Sequence, residues 1–500
     1  MLRTSNYTIY VDLPEEPEKM LLVHGYSGAY DKVSRRVATY VRNCQEGPIP
    51  KPLYGNWSPE QQIDEEVARP SDAAMEVLQK RGYLTALSPE EESERFAGMV
   101  GKLHHLQTQL MPGYIMMPTY QCNLRCSYCF QDHMRTNPKF RHLLKIMTPD
   151  MVDRIFTAMP EIELAHGIED VSEVPRNFTF FGGEPLLAET RSIVEYIIDK
   201  AATFGPANFT AVSNATDLHH FAGLIGPGKI GAIQITLDGP PEEHDRRRIY
   251  ADGKGSFKRI AQNITMALEL GAQINLRMNI DRNNIDQLPE LAQVMIDHGW
   301  SEYKNFSAYT AAIHANNDKT DKKTTFSSWT LVKELDKLRE QHECMKIIGR
   351  PDDGLIDRVR SIFDTRRGAV TNLKASFCGA HNKMYIFDAL GDIYACWEKT
   401  GDASIRIAAI DEESNISWNE GLNNVWRQRT VTSNPVCKKC RYSLYCGGGC
   451  AVLAEIKSGN LHTNFCDGFQ SRLRAAVAEA YDDHLTMQPA PVSVEQACDV

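Results

Sequence analysis

Residues 113–129 read GYIMMPTYQCNLRCSYC, a short apolar run followed at once by three cysteines, Cys122, Cys126 and Cys129. The run has the length and side-chain character of a buried strand. Three thiolates that close in sequence can hold three irons of a four-iron cluster and leave the fourth iron open for chemistry. A zinc site fits the same Cys-x(2–4)-Cys spacing, with Asp132 or His133 as its fourth ligand. Both readings stand at this point.

Towards the C-terminus the strand-then-helix pattern repeats. NFTFFGGEP (177–185), FTAVSNAT (209–216), GAIQITLDG (231–239), QINLRMNI (273–280) and EYKNFSAY (302–309) are apolar or alternating runs. Between them lie the helical stretches DMVDRIFTAM (150–159), ETRSIVEYIID (189–199), FKRIAQNITMALEL (257–270) and QLPELAQVMIDHG (287–299). Six β/α units predict an α/β fold with a parallel sheet, open or curled into a partial (β/α)6 TIM-like barrel over 111–340. Chemistry in such sheets gathers at the C-terminal ends of the strands.

Outward in the other direction, residues 1–110 predict a small α+β domain. NYTIYVDL (6–13) and EKMLLVHG (18–25) have strand character. VSRRVATYVRN (33–43) and SDAAMEVLQKRG (71–82) read as helices on either side of the Pro-rich GPIPKPLYGNWSP (47–59), and an acidic stretch follows at 88–96. Beyond the barrel, the helical SSWTLVKELDKLREQHE (327–343) leads into a region at 341–480 that is rich in Cys and Gly and poor in periodic runs, so its order is expected to come from metal. Residues 481–500 read as a tail.

The 500 residues carry 55 Lys and Arg against 65 Asp and Glu, a formal charge of −10. That balance argues against a nucleic-acid partner. No apolar run is long enough to span a membrane, and the N-terminus lacks a signal-peptide h-region, so a cytoplasmic location is expected. Of the thirteen cysteines, ten fall in two groups, Cys122–Cys129 and Cys378–Cys466, and in that compartment clustered cysteines read as metal ligands rather than disulfides. Lone histidines such as His104, His105, His219, His220, His381 and His462 have no ligand spacing and read as surface or core residues.

Taken in order, the motifs resemble the radical S-adenosylmethionine (SAM) superfamily. The CxxxCxxC loop has Tyr128 before its last cysteine, and Gly182-Gly183-Glu184-Pro185 ends the second strand. Ser213-Asn214-Ala215-Thr216 ends the third; then come Leu237-Asp238-Gly239-Pro240, His244-Asp245, Arg248 and Gly255-Ser256-Phe257. The resemblance implies a SAM-binding [4Fe-4S] cluster on Cys122, Cys126 and Cys129. It places the methionine amino group at Gly182, Gly183 and Glu184, and a ribose or carboxylate contact at Ser213 and Asn214. Tyr128, Asp238, Arg248 and Arg277 are further SAM-binding candidates. The implied chemistry is reductive cleavage of SAM and hydrogen abstraction by a 5′-deoxyadenosyl radical.

Further on, Cys378, Gly391-x4-Cys396, Cys437-x2-Cys440-x5-Cys446-x3-Cys450 and Cys466 resemble the SPASM domain. This implies two auxiliary [4Fe-4S] clusters, hence three in all. Cys437, Cys440, Cys446 and Cys466 would complete one. Cys378, Cys396 and Cys450 would hold the nearer one, a ligand short, with Cys344 or an open position making up the count. A structural zinc ribbon is the alternative. The N-terminal unit weakly resembles the winged-helix domain that captures leader peptides.

The expected function is therefore a peptide maturase that forms an intramolecular thioether, C–C or ether crosslink. Its partners would be a ribosomally made precursor with leader and a flavodoxin or ferredoxin-type reductant. Formylglycine formation on sulfatases is the enzymatic alternative. Sulfatase-maturing relatives carry an Asp base directly after the second SPASM cysteine; here Trp397 and Glu398 follow Cys396, and Glu398 is the candidate base. A non-enzymatic electron-transfer or peptide-binding iron–sulfur protein is the alternative of a different class.

Overall fold

The computed structural model describes residues 2–44, 67–170, 174–315, 320–363 and 373–487; the Pro-rich stretch 47–59 and the part of the expected tail beyond 487 lie outside them. Six parallel strands, Gly113–Met116, Arg176–Phe180, Ala207–Ser213, Ile230–Thr236, Gln273–Ile280 and Phe306–Ala312, lie side by side in chain order. Helices Pro149–Ala165, Arg191–Thr203, Phe257–Glu269 and Leu288–Asp297 connect them, with a 3-10 turn at Leu218–Leu224. The six expected units are present.

The strands are two-faced. In Gln273–Ile280 the side chains of Ile274, Leu276, Met278 and Ile280 are fully buried, packed with Ile260, Ile264 and Leu291 from the helices. The alternate residues, Asn275, Arg277 and Asn279, lie on the opposite face, as the period of two requires. That face is lined by polar groups that bond one another across strands: Thr179 to Thr210 at 2.9 Å and Tyr309 Oη to Gln234 Oε1 at 2.6 Å. An apolar sheet face covered by helices and a polar face turned inward is the arrangement that lets the interior receive a polar ligand.

The sheet does not stop at six strands. Ile348–Gly349 extends one edge in parallel with Phe306–Ala312. At the other edge Met384–Phe387 pairs in parallel with Gly113–Met116, and Asp392–Tyr394, Ala408–Ile410 and Ile416–Trp418 continue it antiparallel, giving eleven strands. Region 341–480 thus contains regular structure that the sequence reading, which expected its order from metal, did not find. Strands of three or four residues are too short to register as periodic runs, yet they are anchored on the first barrel strand.

At the N-terminus, Thr8–Asp12, Lys19–His24 and Tyr30–Ser34 form an antiparallel sheet, followed by helices Arg35–Asn43 and Asp72–Lys80. The third strand, YDKVS, escaped the sequence reading because neither face of it is deeply buried. The acidic stretch 88–96 opens a 20-residue helix, Pro89–Thr108, whose start is fixed by a capping box between Ser88 and Glu91. One face of the sheet (Tyr7, Ile9, Val11, Leu21, Val23) shares a core with Val359 and Phe363 of helix Asp353–Phe363, Leu473 and Val477 of helix Phe469–Met487, and Cys437. Its other face, Met20 and Leu22, packs with Val41 and Leu78. Helix Phe469–Met487 also overturns the expected start of the tail at 481, since Ala480 and Tyr481 are buried in this core. Among the described residues no helix is long and apolar enough to cross a membrane.

Under the sheet, Arg176 and Glu163 form a forked ion pair at 2.6 and 2.9 Å, both about 2% exposed, with Tyr114 Oη donating to the same carboxylate at 3.1 Å. Removing one partner strands the other charge in the core. Arg176→Met is therefore expected to cost about 3–5 kcal/mol. Urea unfolding reads this directly, and a cost below about 1 kcal/mol, the level of an exposed pair, would refute it.

Candidate active site

The loop after the first strand carries the first three cysteines at the C-terminal end of the sheet. Leu124 N–H and Asn214 Nδ2 donate to Cys122 Sγ at 3.4 and 3.7 Å, and Arg135 Nη2 donates to Cys129 Sγ at 3.0 Å. Burial pushes the Cys126 thiol up to about 12; Arg248 opposes the shift while Cys122 and Cys129 add to it. Burial raises Cys122 as well, against the pull of Arg135. Burial favours the neutral thiol at Cys122 and Cys126, and a cationic metal centre would favour their thiolate forms.

The GGEP loop is fastened to this one. Gly183 N–H donates to Thr119 O at 3.1 Å and Glu184 N–H to Gln121 O at 2.7 Å. A Cβ on Gly183 would lie 2.2 Å from Gln121 O and 2.3 Å from Tyr120 O, so only glycine lets the two loops meet. Glu184, 2% exposed, turns inward and accepts from Ser213 Oγ (2.7 Å), Asn214 N–H (2.6 Å) and Leu186 N–H (3.0 Å). Burial lifts its carboxyl to about 7 and these donors pull it back. Glu184 and Ser213 thus brace the second and third strand ends against each other. Asn214 Nδ2 reaches Asn123 Oδ1 at 2.9 Å, tying the third strand end to the cysteine loop.

Tyr128, Asp238 and Arg248 come together. The Tyr128 hydroxyl donates to Asp238 Oδ2 and accepts from Arg248 Nη1 at 2.6 Å and Asn279 Nδ2 at 3.1 Å. Asp238 is fully buried and also accepts from Asn279 N–H at 2.9 Å. Arg277 joins through Asn279 Oδ1 at 2.9 Å. Asn279 was missed by the sequence reading; its one signal was its place two residues along the same strand face as Arg277. The rest of that run serves as a clasp. His244 Nε2 lies 3.0 Å from Ser256 Oγ, and Asp245 accepts from the Ser256 and Phe257 N–H groups at 2.7 and 2.8 Å.

The remaining seven cysteines fall into two sets. Burial raises Cys437, and Cys446, Cys440 and Cys466 raise it further. Cys440 and Cys446, each pushed up to about 11 by burial, are raised also by Cys466. Separately, Cys396 is raised by burial and then by Cys378 and Cys450. Gly447, Gly448 and Gly449, at φ 77°, 89° and 76°, turn the chain between the sets through three successive left-handed residues. Trp397, directly after Cys396, stacks on Phe181 at 5.2 Å, so an aromatic pair links the GGEP strand end to the second set. The Glu398 charge acts on both Cys396 and Cys450. Cys344 sits elsewhere, its thiol donating to Pro289 O at 3.5 Å against the barrel core. Among the described residues no three His, Cys, Asp or Glu side chains converge on a metal-ion site.

Residues 116–295 match the family model of the radical SAM superfamily. The chain carries a radical SAM domain. It is an enzyme, and the domain brings with it a [4Fe-4S] cluster and SAM, which the donor set at Cys122, Cys126 and Cys129 fits. The cysteine-type anaerobic sulfatase-maturating enzyme of Clostridium novyi (strain NT) is 22% identical over 379 residues, 70% of this chain and 91% of that one. A GTP 3′,8-cyclase of Paracoccus denitrificans (strain Pd 1222) is 23% identical over 293 residues, 58% of this chain and 77% of that one. The solved structure of native anSMEcpe with bound AdoMet and Cp18Cys peptide covers 75% of this chain and 100% of its own at a TM-score of 0.52 and 14% identity. This last likeness establishes a shared fold.

Proposed function

We propose that this radical SAM enzyme matures a ribosomally made peptide by a net two-electron oxidation that closes an intramolecular crosslink. Its radical SAM barrel would span 111–340, a SPASM-type auxiliary domain 341–480, and a leader-recognition domain 1–110. The observation that carries the reading is the separation of the C-terminal cysteines into a set of four and a set of three. The set of three lies beside the Phe181–Trp397 pair, next to the GGEP loop.

Cys122, Cys126 and Cys129 would hold the SAM-binding cluster; when bound, cluster and SAM supply the radical that takes a hydrogen atom from an unactivated C–H bond. The Gly182–Glu184 backbone would receive the methionine amino group, as close approach there requires glycine. Tyr128, Asp238, Arg248 and Asn279 would fix the inner wall of the site, each hydrogen-bonded to another of the group. Asn214 and Arg277 remain the SAM-binding candidates nearest the loop ends. Phe181 and Trp397 would form a wall for the peptide, Trp397 being 37% exposed. Cys437, Cys440, Cys446 and Cys466 would hold one auxiliary cluster, and Cys378, Cys396 and Cys450 the nearer one, with a position open to something other than cysteine. Electrons would enter from a flavodoxin or ferredoxin-type donor.

The test is mass spectrometry of the candidate precursor co-expressed with the enzyme. The expected product is lighter by two hydrogens per modification, with tandem spectra lacking fragments between the joined residues. Uptake of dinitrophenylhydrazine would mark an aldehyde and favour the sulfatase-type reading, for which Glu398, one residue past the base position, is the candidate base; a methylated product would exclude both. Leader recognition is tested separately. The strand Tyr30–Ser34 is an edge of the N-terminal sheet among the described residues, and an extended leader can add to such an edge. The precursor is expected to bind the intact protein at least about tenfold more tightly than its leader-free core. Equal affinities would remove this role.

A further inference from the structure

Arg429 is 2% exposed, two residues after the helix Glu420–Arg427. Its guanidinium reaches three of the segments that carry the C-terminal cysteines. Nε donates to Leu461 O at 2.7 Å and Nη2 to Thr463 O at 3.0 Å, both just before Cys466. Nη2 also reaches Gly448 O at 3.4 Å, between Cys446 and Cys450. Nη1 lies 3.4 Å from His381 Nε2, three residues past Cys378. His381 Nδ1 is 3.0 Å from Trp426 O, so the ring gives that nitrogen's proton to the carbonyl and offers Nε2 as acceptor. Every partner is neutral. Among the described residues no carboxylate pairs with this guanidinium.

A buried guanidinium in a cage of carbonyls and a neutral imidazole is poorly compensated, because removing a charge from water costs more than neutral hydrogen bonds return. The compensating charge lies close by. A Cβ on Gly448 would stand 3.7 Å from Cys437 Sγ and 3.9 Å from both Nη atoms of Arg429, so cation and thiol flank the same backbone. The cysteines whose thiolate forms would act on Arg429 are Cys437 and Cys446 of one set and Cys378 and Cys450 of the other. Other cations are more local: Arg358 faces Cys446 and Arg427 faces Cys378. Lys374 faces one thiol of each set but is only half-buried, with its ammonium over the Phe377 ring at 5.9 Å.

Resting on the reading of the two sets as auxiliary cluster sites, we propose that Arg429 is the shared buried counter-ion of both clusters. It raises both reduction potentials and steadies the charge that moves between them. A thiolate-ligated cluster gains negative charge on reduction, and net charge, hydrogen bonding and solvent exposure set its potential. A desolvated cation between two such centres favours the reduced form of each.

The experiment uses the full chain, reconstituted anaerobically, with iron content and redox-titrated EPR spectra as readouts. Arg429→Gln keeps hydrogen-bond donors and loses the charge; Arg429→Lys keeps the charge and loses the fork. At a fixed solution potential, the reduced-to-oxidised ratio of the auxiliary clusters should fall at least about tenfold in Arg429→Gln, equivalent to about 59 mV for one electron. It should stay within about threefold of the wild type in Arg429→Lys. Lys374→Gln should move it less than Arg429→Gln, since water screens that ammonium. Loss of auxiliary iron from Arg429→Gln alone would also support the charge. Wild-type potentials in Arg429→Gln, an equal shift in Arg429→Lys, or loss of iron from both variants would overturn the proposal. Wild-type protein holding only one cluster would instead overturn the reading beneath it.

Discussion

Replacing Cys122, Cys126 and Cys129 together with alanine is expected to reduce SAM cleavage to background while sparing the C-terminal clusters. Iron should fall from about twelve to about eight atoms per chain, the loss of one four-iron centre. The asymmetry follows from where the ligands sit. The first three cysteines share a single loop braced by Gly183, Asn123 and Arg135, and none of them contributes to the C-terminal core. Deoxyadenosine is measured after dithionite reduction. Formation at the wild-type rate would remove the assignment of these residues, and loss of all iron would show that the three centres do not assemble independently.

Deleting residues 1–110 is expected to do more than weaken precursor binding. Read from the sequence, the segment is a separable module, and its removal should leave uncoupled SAM cleavage intact. In the folded chain the module covers the loop bearing Cys437 and Cys440. Tyr7 Oη donates to Lys438 O at 2.8 Å and Arg441 Nη1 to Thr8 O at 2.6 Å. A Cβ on Gly25 would lie 2.2 Å from Arg441 O, so the two backbones are in contact there. The deletion also uncovers Val359, Phe363, Leu473 and Val477, each worth about 1.5–3 kcal/mol when buried. The truncated chain should therefore lose about four irons, those of the Cys437 set. It should also bind an apolar dye that the intact protein does not. A soluble truncation with full iron and no dye binding would restore the modular reading. Leader binding must accordingly be tested on the intact protein.

Much of this was legible locally. The strand runs 177–185, 231–239 and 273–280 carry their periodicity on their face, and strand ends are where an α/β sheet places its chemistry. Cysteine spacing is likewise a local property, because residues a few positions apart on one loop stay close to one another in the fold. Cys437 lies within electrostatic reach of Cys440, Cys446 and Cys466, and Cys396 within reach of Cys378 and Cys450, the grouping that the SPASM resemblance implies.

Other features were decided only by the tertiary structure. Glu184 and Ser213 match a ligand motif, yet they turn towards each other, since a carboxylate buried at a strand end must find donors and Ser213 Oγ and two backbone N–H groups supply them. Asn279 enters the site because Tyr128, 151 positions away in sequence, arrives beside it. Strands Met384–Phe387 and Asp392–Tyr394 are too short to show a period, and they form because the first barrel strand offers an unpaired edge. The docking of Tyr7 on Lys438 spans 431 positions. Periodicity and cysteine spacing are properties of a few neighbouring residues, so the sequence alone sufficed for the parallel strands and for singling out the cysteine loops. Which buried polar group satisfies which, and which sheet edge is covered by what, depends on distant segments meeting, and no local pattern encodes that.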